Sequence, residues 1–195
     1  MDHGLFSSDE PDLERARAVF ASHCLPCLRE AIAEVRWVPE RSESNPFLTK
    51  IVIAVEPKTD VELRVHIYRG KDKTANVHDH RWPFYSMVIS GEIEHVRYAK
   101  GGQGFVQVMA ETLAAGDLYH VGVDEFHTAV ASDDAVTLLL RGPRQKEVWE
   151  MYDITGELVR EFASPKENDQ VALNASNVRA LLGTTLVAKI VCDQA

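Results

Sequence analysis

The most informative segment of the sequence is Val77-His78-Asp79-His80-Arg81-Trp82-Pro83-Phe84-Tyr85-Ser86-Met87-Val88-Ile89-Ser90-Gly91. On an extended strand, residues two apart point to the same face, so His78 and His80 can present two imidazoles to one ion. Imidazole nitrogen is a common ligand of divalent transition metals. Gly91 marks a turn after the apolar run. The stretch therefore predicts a metal-binding strand, a second strand and a turn.

A second segment supplies a third histidine. It reads Gly116-Asp117-Leu118-Tyr119-His120-Val121-Gly122-Val123-Asp124-Glu125-Phe126-His127, and it predicts a turn, a short strand and a further turn before that histidine. The two segments together indicate a metal site more strongly than either one alone. We predict that the ligands are His78, His80 and His127. The competing interpretation is a set of barrel histidines whose nitrogens are satisfied by hydrogen bonds.

Short strands separated by turn residues follow one another from Thr49 onward, which predicts an all-β sandwich or barrel. The segment 61–69 alternates cleanly between an apolar face and a polar face. Its polar face carries Glu62, Arg64, His66 and Tyr68. The predicted strands are 50–55, 61–69, 85–90, 92–99, 105–110 and 136–141, followed by a hairpin of 149–154 and 157–162 around Thr155-Gly156.

Helices are predicted at both ends of the chain. Apolar residues recur at helical intervals over 13–32, and Pro26 should kink or divide that helix. The segment 41–46 is a polar connector, and a short helix over 177–182 ends at Gly183 before a strand-like segment, 185–191. We expect one compact domain, with an N-terminal helical extension over 1–48, a barrel over 49–165 and a C-terminal extension over 166–195.

The composition and charge of the chain argue against some classes of binding partner. The 195 residues include 30 acidic and 21 basic side chains, for a net charge of −9, and no basic run stands out. Nucleic acid and membrane surfaces are therefore not expected as partners. The N-terminus lacks the pattern of a signal peptide and no apolar run approaches a membrane span, so we expect a cytoplasmic protein. Cys24 and Cys27 form a Cys-x-x-Cys pair that we interpret as helix-facing structural thiols, because a redox or zinc site would need a different context.

The two histidine segments resemble the motifs of the cupin superfamily. The first cupin motif runs from His-x-His to a glycine, and His78, His80 and Gly91 fit it. The second runs from a glycine to a histidine, and Gly116 and His127 fit its ends. The resemblance covers about residues 49 to 141. It implies a mainly β, cupin-type double-stranded β-helix, or jelly-roll, barrel flanked by the helices at the two ends.

Two departures from the motifs bear on the chemistry. The glutamate position of the first motif falls on Phe84, or on Tyr85 with the longer spacing, and neither is a carboxylate. Gly122 and Asp124 replace the Pro-x-Gly turn, which both residue types suit. Three neutral ligands without a carboxylate resemble the cysteine dioxygenase-like thiol dioxygenases, which implies Fe(II). Small cupins that share a segment like Leu140-Arg-Gly-Pro-Arg144 are also similar, and they imply a fold and a metal site without a reaction.

Further roles follow around the expected metal. Lys50 can be placed where the thiol dioxygenases have a carboxylate-binding arginine, which makes it a candidate for substrate binding. Arg64 and Tyr68 are candidates for the same role. Tyr85 is expected to project inward beside the metal as a catalytic hydrogen-bond donor, and Arg81 to grip an anionic substrate. The remaining strand histidines, His66, His95 and His120, are interpreted as solvent-facing or hydrogen-bonded residues rather than ligands.

Three hypotheses for function remain at this point. The first is a non-haem Fe(II) dioxygenase or oxygenase that uses O₂ on a small carboxylate- or thiol-containing molecule. The second keeps the site but uses Zn, Ni or Mn as a Lewis acid for isomerase, epimerase or lyase chemistry, with Tyr85, His66 or His120 as acid or base. The third is a non-enzymatic ligand-binding cupin. A homodimer through an edge strand or the terminal helices is compatible with each.

Overall fold

The computed structural model describes residues 4–7, 10–69, 76–102, 104–133, 135–162 and 171–186. The helices are α1 (Leu13–Val19), α2 (Leu25–Glu34) and α3 (Ala175–Ala180), with a 3-10 turn at Pro39–Arg41 and π-helical turns at Phe20–Cys24 and Leu181–Leu186. The strands are β1 (Glu43–Ser44), β2 (Leu48–Glu56), β3 (Val61–Tyr68), β4 (Val77–His78), β5 (Phe84–Ser90), β6 (Glu92–Gly101), β7 (Gly104–Ala114), β8 (Leu118–Val121), β9 (Phe126–Ala131), β10 (Val136–Arg141), β11 (Trp149–Tyr152), β12 (Leu158–Phe162) and β13 (Val171–Ala172).

The strands form two antiparallel sheets. The first has the order β13-β1-β2-β3-β10-β5-β8, and the second has the order β12-β11-β4-β9-β6-β7. One buried apolar cluster draws Phe84, Val88 and Leu139 from the first sheet and Ile93 and Leu113 from the second. The two sheets therefore face each other across this cluster. Such a pair of sheets forms a jelly roll. It lies within the sandwich or barrel class that the strand pattern predicts.

The helices cover the outer face of the first sheet. The largest apolar cluster joins Phe20 and Leu28 of the N-terminal helical segment to Val65 and Leu138 of the sheet, together with Leu182 near the C-terminus. Because the helices bury this face, the apolar residues of β3 point outward to them. The polar residues of β3 consequently point toward the second sheet.

The N-terminal helical segment begins and divides for identifiable reasons. Asp12 caps α1, because its carboxylate accepts a hydrogen bond of 2.9 Å from the backbone N–H of Arg15. Pro26 lies in the first turn of α2, where a missing N–H is tolerated, and the π-helical turn Phe20–Cys24 precedes it. The division predicted near Pro26 is therefore present, although the chain stays helical through it.

Several predicted bounds shift in the structure. The segment 41–46 contains β1, which pairs with β2 and β13, so the first sheet extends beyond the predicted barrel limits on both sides. The C-terminal helix spans Ala175–Ala180, and residues 185 and 186 of the predicted strand belong to the following helical turn. Residues 187–191 lie outside the described residues. Among the described helices, none is long and apolar enough to cross a bilayer.

The turn at Gly91 carries the chain from the first sheet to the second. Its φ of +73° lies in the left-handed region, and a Cβ at this position would lie 2.8 Å from the Cα of Ala135. Both constraints exclude a side chain. The glycine predicted to end β5 is therefore required where β5 passes to β6.

Candidate metal centre

Two strands of the second sheet bring the three predicted ligands together. His78 in β4 is directly paired with His127 in β9, and His80 follows just after β4. One ring nitrogen from each residue lies within 4.8 Å of the others. The Nε2 atoms of His80 and His127 are 2.8 Å apart. Two nitrogens bound at right angles to an ion at 2.0–2.1 Å would be separated by about 2.9 Å, so the spacing suits a first-row metal.

The two sheets, the turns at Gly91 and Gly116, and the three facing histidines form one arrangement. The chain has a jelly-roll fold. Within this fold, the His-x-His pair and the third histidine lie on or beside adjacent strands of one sheet and face the space between the two sheets. The mainly β fold class predicted from the sequence is confirmed, and the three histidines are arranged as the cupin resemblance implies.

Three solved structures are similar to part of this chain. An RmlC-like cupin from Shewanella frigidimarina is 21% identical, with a TM-score of 0.41 over 57% of this chain and 92% of that one. KdgF from Halomonas sp. is 19% identical, with a TM-score of 0.41 over 56% of this chain and 94% of that one. HEPD from Streptomyces albus, solved with 2-hydroxyethylphosphonate and Fe(II), is 18% identical, with a TM-score of 0.43 over 55% of this chain and 25% of that one. No family model and no curated protein matches the chain.

Burial keeps two members of the histidine cluster, His80 and His127, neutral. The pKa values of His80 and His127 lie well below the ordinary value of 6.5, first because the rings are desolvated and then because the cationic form would face His78. Neutral imidazole is the form that binds metals. The Nδ1 atom of His78 lies 3.1 Å from the carbonyl oxygen of Asn76. A proton on that nitrogen would donate to the carbonyl, and the lone pair on Nε2 would then be the one that binds an ion.

Phe84 occupies the edge of the cluster where the cupin motif has its carboxylate. Its ring centroid lies 5.0 Å from that of His80 and 6.2 Å from that of His127. Among the described residues, the metal-competent group contains three histidines and no Asp, Glu or Cys. The structure thus resolves the two alternatives of the motif count in favour of Phe84. An apolar ring stands beside the histidines in place of a fourth ligand.

Tyr85 lies on the opposite face of β5, so the expectation that it projects inward is corrected by the structure. Its hydroxyl accepts a hydrogen bond of 3.2 Å from the backbone N–H of Asp12, and its ring packs 5.6 Å from Phe6. His120 pairs with Tyr85 across β5 and β8, with ring centroids 4.7 Å apart. Consecutive residues of a strand face opposite sides, which places this pair on the outer face, under the N-terminal segment.

The polar face of β3 lines the interior near the histidines. His66 is 8% exposed, and among the described residues no hydrogen-bond partner faces its Nε2 atom. Lys50 pairs with His66 in the sheet register and makes an ion pair of 2.7 Å with Glu43. Both His66 and Lys50 lie near enough to lower the pKa of His80, after the larger effects of burial and His78. The predicted substrate-binding lysine therefore lies on the same side of the barrel as the cluster.

Arg64, Arg81 and Arg141 meet around one aromatic ring. Their guanidinium carbons lie 5.3, 5.0 and 5.0 Å from the Trp82 ring centroid, respectively. Arg64 donates a hydrogen bond of 2.6 Å to buried Glu62, and Arg141 lies 3.1 Å from the same carboxylate. The predicted residues Arg64 and Arg81 are thus brought together beside Trp82, two residues after His80.

The last residue of the predicted substrate set is Tyr68, which lies farther along β3. Its ring lies 6.3 Å from His66, and it packs against the apolar cluster between the sheets. Burial raises the pKa of its hydroxyl, which therefore stays protonated. Tyr68 and His66 form a second part of the interior wall, apart from the Trp82 group.

Asp79 points away from the metal-competent group. Its carboxylate pairs with Lys146 and accepts a hydrogen bond of 2.8 Å from the backbone N–H of Glu150. Asp79 therefore connects β4 to the segment that precedes β11.

The Cys-x-x-Cys pair lies in the N-terminal helical segment. Burial raises the pKa of Cys24 to about 12 and raises that of Cys27. Since the thiolate is the reactive and metal-binding form, burial makes both thiols less reactive than an exposed cysteine. The interpretation of these cysteines as structural is thereby supported, and Cys192 lies outside the described residues.

His95 is a neighbour of the cluster that the sequence analysis did not assign to the site. It is fully buried, and its Nε2 atom lies 3.1 Å from Nδ1 of His127 while its Nδ1 atom lies 3.0 Å from a carboxylate oxygen of Glu111. The sequence did contain an indication. Glu92, Ile93, Glu94 and His95 alternate between exposed acids and inward residues along β6.

Proposed function

We propose that the chain is a metal-dependent cupin that binds a divalent ion on His78, His80 and His127, with Fe(II) as the physiological metal. The observation that carries the proposal is the convergence of three histidine ring nitrogens within 4.8 Å of one another. Imidazole sites suit iron, nickel, copper and zinc, and a site without a carboxylate leaves the charge of the ion uncompensated. Such a site favours anionic ligands and substrates.

The reaction we propose is oxidation by O₂ of a small carboxylate- or thiol-containing molecule. Iron supplies one-electron and O₂ chemistry when it is bound in such a site. Phe84 keeps one side of the centre apolar, which limits the access of water. Lys50 and Arg64 are the proposed anchors of the substrate carboxylate, with Tyr68 as a hydrogen-bonding residue and Arg81 beside Trp82 as a further cation.

The proposed substrate-binding cations Lys50 and Arg64 already form ion pairs within the protein, and this limits the charge of the substrate that we expect. Lys50 faces Glu43, and Arg64 faces Glu62. A substrate carboxylate would therefore share these cations with the protein. We expect a small monoanion to be preferred over a multiply charged substrate, because the net positive charge left over is small.

A second candidate is Lewis-acid chemistry with Zn, Ni or Mn, and His66 favours it. This ring is buried with no hydrogen-bond partner at Nε2 among the described residues, and burial holds its pKa well below the ordinary value. A neutral imidazole with a free nitrogen can act as a base toward a substrate proton. Of the acids and bases considered for this chemistry, Tyr85 and His120 lie on the outer face and His66 lies inside.

Metal analysis followed by O₂ uptake tests the proposal. Protein purified without added metal is analysed for bound metals beside the variants His127→Ala and His23→Ala, the latter in the exposed part of the helical segment. We expect bound metal in the wild type and in His23→Ala and its loss in His127→Ala. Equal metal content in all three proteins would contradict the proposal that the three histidines bind the metal.

The iron-loaded protein is then offered small thiols and small carboxylic acids in an oxygen electrode. O₂ uptake with one class names the substrate class. If full iron occupancy gives no uptake across a broad panel, the oxygenase proposal fails. Turnover with Zn, Ni or Mn in the absence of O₂, lost in His66→Gln at unchanged metal content, would establish the second candidate instead.

A further inference from the structure

A buried chain of side chains leads from His127 away from the metal centre and ends at a carboxylate. His127 in β9 contacts His95 in β6, with Nδ1 and Nε2 3.1 Å apart. His95 contacts Glu111 in β7, with Nδ1 and Oε1 3.0 Å apart. His95 is fully buried, whereas the Glu111 side chain is 30% exposed at the far end. The chain crosses three adjacent strands of the second sheet.

The carboxylate fixes the order of protons along this chain. An ionised carboxylate only accepts hydrogen bonds, so Nδ1 of His95 carries the proton that it donates to Glu111. The Nε2 atom of a neutral His95 then has a lone pair, and it accepts from the Nδ1 proton of His127. The Nε2 atom of His127 is consequently left without a proton. This is the atom that lies 2.8 Å from Nε2 of His80 in the metal centre.

The opposite order is unfavourable. A lone pair on Nδ1 of His95 would face a carboxylate oxygen 3.0 Å away, and two acceptors at that distance repel each other. The proton order that ends at Glu111 is therefore the favoured one.

We propose that Glu111 and His95 are positioning residues that hold His127 in the tautomer that binds a metal through Nε2, and that they pass the influence of a negative charge to the centre. The inference rests on the proposed function in one respect, namely that Nε2 of His127 binds a metal ion. Phe84 stands where other cupins have a carboxylate ligand. Here, the carboxylate acts through His95, and groups that hydrogen-bond a ligating imidazole typically raise metal affinity by 10- to 100-fold.

The first test reads the tautomer of His127 directly, without a metal. Metal-free protein labelled with ¹⁵N-histidine is examined by long-range ¹H–¹⁵N correlation, and the His127 resonances are those missing from His127→Ala. We expect Nδ1 of His127 to be protonated and Nε2 to be bare in the wild type. In Glu111→Leu, we expect His95 and His127 to shift toward the Nε2-protonated form. Wild-type His127 with its proton on Nε2 would overturn the inference.

The second test measures Zn(II) and Co(II) affinity by competition with a chelator. Glu111→Leu should weaken binding by about 10- to 100-fold. Glu111→Gln keeps a hydrogen-bond acceptor for His95 but lacks the negative charge. The metal affinity of this variant should therefore lie between those of the wild type and Glu111→Leu. Glu94→Gln removes an exposed carboxylate from the position next to His95 and should bind like the wild type.

The outcomes separate this inference from the proposed function. A protein with the expected tautomers that binds no metal overturns the metal proposal and leaves the proton order intact. A protein that binds metal equally in the wild type and in Glu111→Leu overturns the positioning role and leaves the metal site intact. If Glu111→Leu fails to fold, as judged by circular dichroism, the comparison of Glu111→Gln with Glu94→Gln decides, and equal affinities would refute the inference.

Discussion

Phe84 and Tyr85 are neighbours in β5, yet they belong to different parts of the molecule. The Phe84 ring lies 5.0 Å from the His80 ring, between the two sheets. The Tyr85 ring lies 5.6 Å from Phe6, on the other side of the first sheet. Because successive residues of a strand point to opposite faces, Phe84 borders the metal centre and the hydroxyl of Tyr85 does not.

Tyr85→Phe is expected to lower stability and to leave the metal centre unchanged. The substitution removes the hydroxyl that accepts a hydrogen bond from the backbone N–H of Asp12. A typical loss is about 1 kcal/mol in the free energy of unfolding, measured with urea. Metal content and metal affinity should equal those of the wild type. A loss of metal affinity in this variant would contradict the placement of Tyr85 on the outer face.

Phe84→Glu is expected to make stability depend on the metal. An unpaired charge and a poorer fit in the core should lower the free energy of unfolding of the metal-free protein by about 3 kcal/mol. Saturating Mn(II) or Zn(II) should restore more stability than it adds to the wild type, because the new carboxylate can bind the ion. Phe84→Gln is the matched control without charge. Equal metal effects in the two variants would show that position 84 does not reach the ion.

Stability is expected to fall as the pH falls below 6.5, in part because of His66. Burial, followed by the charges of Lys50 and Arg64, holds the pKa of His66 well below 6.5 in the folded protein. Between that lowered pKa and 6.5 the unfolded chain binds more protons, so the free energy of unfolding decreases by up to about 1.4 kcal/mol per pH unit. Urea unfolding of metal-free protein from pH 7 to pH 5 measures this slope.

The matched variants for the pH experiment are His66→Gln and His23→Gln. The first should have a shallower slope than the wild type, whatever its stability at pH 7. The second, in an exposed part of the helical segment, should keep the wild-type slope. An unchanged slope in His66→Gln would mean that His66 does not carry the depressed pKa.

Glu62→Gln is expected to be among the most destabilising substitutions of a charged residue. The carboxylate is almost fully buried and contacts Arg41, Arg64 and Arg141. Removing the one carboxylate that these three cations share typically costs about 3 kcal/mol or more in the free energy of unfolding. The control is Glu147→Gln, which breaks an exposed pair with Arg144 and should have no measurable effect. Similar unfolding midpoints for the two variants would contradict this.

The positions of the strands and of the three histidines could be predicted from the sequence, because both depend on local periodicity. The alternation in 61–69, for example, correctly grouped Glu62, Arg64 and His66 on one face of β3. What alternation cannot say is which face becomes the interior. Here, the helices bury the apolar face of β3 from outside, so the polar face lines the barrel.

What the sequence leaves open at the site has the same origin. Counting back from Gly91 left Phe84 and Tyr85 as alternatives, and only the packing of Tyr85 against Phe6 separates them. His95 was interpreted in isolation because its partner Glu111 comes from the next strand, in a register that the sequence does not specify. Periodicity within a strand can be read from the sequence. Contacts between side chains of different strands can be identified only in the structure.

The shortness of β4 has a consequence for folding. It contains two residues, lies between β9 and β11, and pairs with β9 only at His78 and His127. His80 and His127 are 47 positions apart along the chain, so the metal centre is complete only after this long-range pairing. Long-range contacts of this kind form late because chain closure is slow. Metal added during refolding should therefore leave the folding rate unchanged and act by slowing the unfolding of the finished barrel.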